Sequence, residues 1–150
     1  MAWSNPTTRA TGDMITAAIW NQDVVSNPIA LGLSGYQFVI NGGGSTPATG
    51  IQFDFIALAK TTATSVTMLA DQSGSAVVDL WKDTYANFPP TVADTITASA
   101  KPTITTATKS QDGTLTGWTT AWAKNDIIRV NLDSVTTITR LTVGIELTYA

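Results

Sequence analysis

Apolar positions recur at two different intervals along this chain, and the change falls near Gly35. Before it, Met14, Ile15, Ala18, Ile19 and Val25 repeat near the helical interval, which gathers them on one face of an amphipathic helix. Asp13 stands in front of that run as an N-cap, because its carboxylate can accept from the free N–H groups of a first turn. Asn27–Pro28 ends it. The spacing predicts a helix over 14–26, preceded by a polar, turn-rich arm over 1–12 that contains Pro6 and Gly12.

Beyond Gly35 the interval is two, as in a strand with one buried face. Tyr36, Phe38 and Ile40 form a first strand, closed by Asn41-Gly42-Gly43-Gly44. Ile51, Phe53 and Phe55 form a second, and Val66 with Met68 marks a third. Asp71-Gln72-Ser73-Gly74 reads as a turn, with a fourth strand over 75–81. Pro89–Pro90 then interrupts any ladder. Two Thr-rich strands are expected around Ile96 and Ile104, separated by Pro102, with a turn at Ser110-Gln111-Asp112-Gly113. Strands over 115–123 and 127–132 flank a reversal at Lys124-Asn125-Asp126. The last strand is the clearest: Leu141, Val143, Ile145, Leu147 and Tyr149 on one face, Arg140, Thr142, Gly144, Glu146 and Thr148 on the other. Eight or nine short strands without intervening long helices exclude βαβ units. They predict a mostly β chain, an antiparallel β-sandwich or jelly roll with a short N-terminal arm and helix. Residues 1–33 form the attachment segment of this scheme and 34–150 the β-domain. No fixed-period repeat points to a solenoid.

Composition sharpens this. Threonine is the outlier, the commonest residue type in the chain, and β-branched side chains favour extended backbone. Charged residues make up only 13% and apolar residues 43%, enough to fold but sparse in the mixed charge that keeps a solitary protein dispersed. Either Thr and Ser supply the solvation or partners cover much of the surface. The net charge of −3 and the lack of any basic run exclude a nucleic-acid footprint. No apolar run approaches the roughly 18 residues of a membrane-spanning helix, and MAWSNPTTRATG lacks a signal-peptide pattern. The chain is expected in an aqueous compartment, with no membrane partner.

Chemistry has little to work with. There is no Cys and no His, so thiolate nucleophiles, disulfides and the commonest general base and metal ligands are missing. Asp79 with Asp83, or Asp126 with Asp133, could form a carboxylate pair for glycoside hydrolysis. The competing reading makes Asp83 a turn cap before Tyr85 and Asp126 a bond to local backbone. Asp71 to Gly74 and Asp112-Gly113 could offer oxygens to Ca²⁺, yet lack the dense acidic spacing of a calcium loop. Gly42-Gly43-Gly44 lacks the Lys and helix start of a phosphate loop. The expectation is no catalytic residue, no metal and no cofactor.

The five tryptophans admit two readings. Trp81, Trp118 and Trp122 with Tyr85 could form an exposed platform that stacks on sugar rings; Trp118 and Trp122 share a face if their strand is unbroken. Alternatively these rings fill the core or a subunit interface. In the arm and helix, Trp3, Met14, Ile15, Ile19 and Trp20 are the expected interface residues, with Trp3 an intermolecular anchor. Trp20 would dock the helix on the β-domain or on a neighbouring protein.

TGDMITAAIWNQDVVSNPIAL (11–31) resembles the N-terminal segment of small tail and virion proteins of tailed bacteriophages: Gly-Asp, Ile-Thr-Ala, Trp-Asn and a downstream Asn. DLWKDTYANFPP (79–90), KPTITTATKSQDGTLTGW (101–118) and NDIIRVNLDSVTTITRLTVGIEL (125–147) resemble a domain that recurs at the ends of phage structural proteins. The four stretches make up 74 of the 150 residues; Asn125 stands where similar sequences often have Gly. It implies a non-enzymatic virion protein, assembled in the host cytoplasm and partnered by the major capsid protein or tail proteins. By analogy it implies a homo-oligomer, with a trimer the first expectation. A capsid decoration or cement protein bound through residues 1–30 is the leading expectation, because 150 residues are few for a whole tail fibre. The alternative is a tail-fibre or tail-tip module that holds host glycan on its aromatic face.

Overall fold

The computed structural model describes residues 35–149. The arm, the helix over 14–26 and the residues Trp3, Met14, Ile15, Ile19 and Trp20 lie outside the described residues. The described chain is mostly strand: β1 (Gly35–Asn41), β2 (Gly50–Ile56), β3 (Thr61–Asp83), β4 (Thr103–Asp112), β5 (Ala121–Trp122), β6 (Ile127–Thr136) and β7 (Arg140–Tyr149). All pairings are antiparallel, in one curled sheet of order β1-β7-β3-β6-β2, with β4 and β5 on the other edge of β3.

The 23-residue strand β3 organises everything else. Its first half pairs with β7 (Thr61↔Tyr149 to Ala70↔Leu141) and its second half with β6 (Ser75↔Thr136 to Asp83↔Ile127). β6 and β7 thus run end to end along one edge of β3, and the two paired runs turn a shared corner at 71–74 and 137–140. The expected turn at Asp71-Gln72-Ser73-Gly74 is therefore not a hairpin, and two expected strands are one. The reason is where the polar groups go. Asp71 accepts from the backbone N–H groups of Thr139 (3.1 Å) and Arg140 (3.0 Å) and from the Thr139 hydroxyl, and the Thr137 hydroxyl donates to the Ser73 carbonyl at 2.8 Å. Residues that promote a local reversal bond instead to a segment remote in the sequence. Gly74 is needed here: a β-carbon would run into the Thr136 carbonyl and the Thr137 side chain.

Period-two alternation is realised best in β7, where Leu141, Val143, Ile145 and Leu147 are buried. They join Ile40, Val66, Met68, Val78, Leu80, Ile128, Val130, Leu132 and Trp122 in the core. The curl brings rings of β1 against rings of β2, the two ends of the sheet order: Tyr36 lies 4.7 Å from Phe55 and Phe38 lies 5.0 Å from Phe53, centroid to centroid. Burying such rings together supplies both area and a further ~0.5–1.5 kcal/mol per pair. Three other expectations need correction. A register shift between Ile51 and Phe53 turns Ile51 outward, 55% exposed, so it does not share a face with Phe53 and Phe55. The segment around Ile96 is not a strand; Thr95 makes one isolated bridge to Trp81. Of the strand expected over 115–123 only Ala121–Trp122 forms, because Leu115 and Gly117 both take positive φ (47° and 82°) and break the ladder.

Candidate interaction surface

The carboxylates named as catalytic candidates are each occupied by structure. Asp79 is fully buried on β3. Its Oδ1 accepts from the hydroxyls of Thr97 (2.6 Å) and Thr95 (2.7 Å), and its Oδ2 from the Trp81 indole N–H (2.9 Å) and Lys101 (3.0 Å). Burial alone would push this carboxyl up; those four donors outweigh it and hold the group below the ordinary carboxylate range. Lys101 also reaches Asp133 at 2.6 Å. Asp83 stands just ahead of the 3₁₀ turn Tyr85–Asn87, accepting from the Thr84 N–H (2.6 Å) and the Asn87 side-chain amide (3.1 Å). Asp126 accepts from the Ala123 N–H at 2.8 Å and pairs with Lys82 at 2.9 Å. The local-bonding readings of Asp83 and Asp126 describe these geometries. Asp112 accepts from the Thr114 and Leu115 N–H groups, an Asx turn that closes β4. Among the described residues no three acidic side chains cluster as a metal site would need.

The aromatic platform does not assemble. Trp118 (9% exposed) and Trp122 (1%) are both core residues, and the strand that would have put them on one face is absent. Trp118 donates its indole N–H to the Ala100 carbonyl at 2.8 Å, and Trp122 packs about 6 Å from Tyr36 and Phe55. Trp81 is half-buried and turned to Asp79. Tyr85 alone stands in solvent, at 80% exposure.

Among the described residues two apolar surface features stand out. One is the pair of terminal strands. Among the described residues, neither β1 nor β2 has a ladder partner on its outer edge. β1 (GYQFVIN) carries no charge, and the one charge of β2, Asp54, is taken by Arg129 at 2.7 and 2.8 Å. Val39 and Ile51 are each about half exposed on these edges. The other is a surface at the end of β2. Ile56, Tyr85 and Phe88 line a cavity of about 260 Å³ together with Phe55, Ile127 and Asp54, and Leu58 follows at 66% exposure. Arg129 fixes the Phe88 segment: it donates to the Pro90 carbonyl at 3.1 Å and lies 5.4 Å over the Phe88 ring.

The second surface was not singled out from the sequence, although its parity was visible. Ile56 has the same parity as Asp54, on the side opposite Phe53 and Phe55, and Phe88 precedes two prolines that bar it from a ladder. What the chain shares with known proteins does not add to this: it matches no protein-family model and no curated protein.

Proposed function

We propose that this chain is a structural adhesion protein of a tailed-phage particle, most simply a decoration or cement protein of the capsid. The observation that carries the reading is the state of the sheet edges. A solitary β-protein guards its outer strands with lysine, proline, a bulge or a covering segment, because bare N–H and C=O rows recruit other chains. Here β1 has no lysine, proline or bulge and exposes Val39; β2 carries one bulge, which leaves Ile51 half exposed, and no lysine or proline. Together with 13% charged residues, this suits a surface covered by neighbours in an assembly. The sequence resemblance in 11–31, 79–90, 101–118 and 125–147 supplies the virion, and homo-oligomerisation, a trimer by analogy, belongs to the same proposal. So does the finer architecture: the halves β1-β7-β3 and β3-β6-β2 act as two layers of a sandwich, joined at the shared corner.

Labelling the chain in purified particles tests the reading; finding it on the shell supports decoration, and its absence from particles overturns the proposal. The edge argument has its own check. Val39→Lys with Ile51→Lys changes only exposed positions, so the chain should remain folded while its occupancy on particles falls at least tenfold. Full occupancy would remove the edges from the mechanism.

A further inference from the structure

We propose that the apolar surface formed by Ile56, Leu58, Tyr85 and Phe88 is the docking site of this chain's own residues 14–26. This is independent of the virion reading. Four large apolar side chains are 49%, 66%, 80% and 51% exposed there, which on side chains of about 200 Å² amounts to on the order of 500 Å². A patch of that size is at the upper end for a protein with nothing to cover it. It is also short of the roughly 800 Å² per partner of a standard interface between two folded bodies. One face of a three- to four-turn helix, about 20 Å long, fits it better than a second copy of the sheet.

Where the described chain begins points the same way. Tyr36, one residue after Gly35, extends its phenol to the end of β2: its hydroxyl donates to the Ile56 carbonyl at 3.1 Å and accepts from the Leu58 N–H at 2.9 Å. Gly35, where the described residues begin, therefore lies within about one side chain of the backbone at the end of β2, whose opposite side carries Ile56. Eight residues, 27–34, separate the segment from Gly35 and can span at most about 28 Å. The segment MITAAIWNQDVVS carries a single charge, Asp23, and presents Met14, Ile15, Ala18 and Ile19 at helical spacing. The surface is also poor in charge: Asp54 beside it is paired with Arg129, and Asp83 next to Tyr85 is engaged by the Thr84 N–H and the Asn87 amide. Docking uses residues 14–26 and leaves 1–12 with Trp3 outside the contact.

Paired cysteines in the full chain test this on a cysteine-free background. Ile19→Cys with Leu58→Cys should oxidise to an intramolecular disulfide, visible as a faster-migrating monomer. Ile19→Cys with Lys109→Cys, an exposed position on β4 within the same tether's reach, should oxidise at least tenfold more slowly. Equal rates at the two positions, or no bond at Leu58, would overturn the proposal; a disulfide found only between chains would overturn the own-chain occupant. Hydroxyl-radical footprinting of full-length protein gives a second readout that leaves the β-body untouched. Ile15→Asp with Ile19→Asp should raise labelling of Tyr85 and Phe88 several-fold while leaving core Phe53 unchanged. Unchanged labelling at Tyr85 and Phe88 would refute docking.

Discussion

Asp79 is the most informative single position to perturb, because its four donors divide cleanly between two oxygens. Asp79→Ala strands the Trp81 indole N–H and leaves the Thr95 and Thr97 hydroxyls only each other, at 3.2 Å, beside a fully buried site. Removing one partner of a buried charged pair costs about 3–5 kcal/mol. The low end applies, since Lys101 is 30% exposed and keeps Asp133. A loss of about 3 kcal/mol is expected on that basis. Asp79→Asn behaves differently. With its oxygen toward Trp81 and Lys101, its amide can donate to Thr95 and Thr97, because hydroxyls accept as well as donate. Only the charge is lost, and the cost should be about 1 kcal/mol. Urea denaturation of both variants, followed by intrinsic fluorescence and by far-ultraviolet circular dichroism, measures the two values at constant m. Equal losses in Ala and Asn would refute the assignment of Asp79 as the tie between β3 and the 95–101 segment. So would an Ala variant as stable as the parent to within about 0.5 kcal/mol, the ordinary range of a surface substitution.

Other consequences are simpler to state. Gly74→Ala should destabilise by about 2 kcal/mol or more in the same denaturation experiment, because its β-carbon meets backbone at the corner, whereas alanine at Gly113, which faces open space, should not. Hydrogen bonds from the Thr139 hydroxyl and the Arg140 N–H lower the Asp71 carboxyl to about 2. Its contribution to stability is present above the ordinary carboxylate value of 3.8 and is lost as pH falls toward 2, so Asp71→Asn should flatten the stability–pH curve between pH 4 and 2. Trp118→Ala should cost about 3–5 kcal/mol, as a core aromatic does, and the parent's fluorescence should not shift with a panel of glycans; a near-neutral substitution would place Trp118 on the surface after all.

A good deal of this molecule was legible in one dimension. Alternation in 141–149 specified both the strand and its buried face, because a half-buried strand has a period no other element shares. Tyr36-to-Ile40, the reversal at Asn125 with its positive φ of 73°, and the local roles of Asp83 and Asp126 followed from residue chemistry alone, since each depends on neighbours within a few positions. The lack of Cys and His bounded the chemistry in the same way.

Long-range partners decided the rest. Asp71-Gln72-Ser73-Gly74 has every local reason to turn, and it runs on because Thr137, Thr139 and Arg140 take up its polar groups from the far end of the chain. The same holds for tryptophan: spacing could put Trp118 and Trp122 on one face, but positive φ at Leu115 and Gly117 and the Ala100 carbonyl sent both inward. Ile56 and Phe88 meet only because β2 and the segment before Pro89 converge on Arg129, whose partners Asp54 and Pro90 come from opposite ends of that approach. Periodicity reports which face of an element is buried, through the local geometry of the backbone. Which surface it is buried against is set by the closure of distant strands, and that closure carries no period to read.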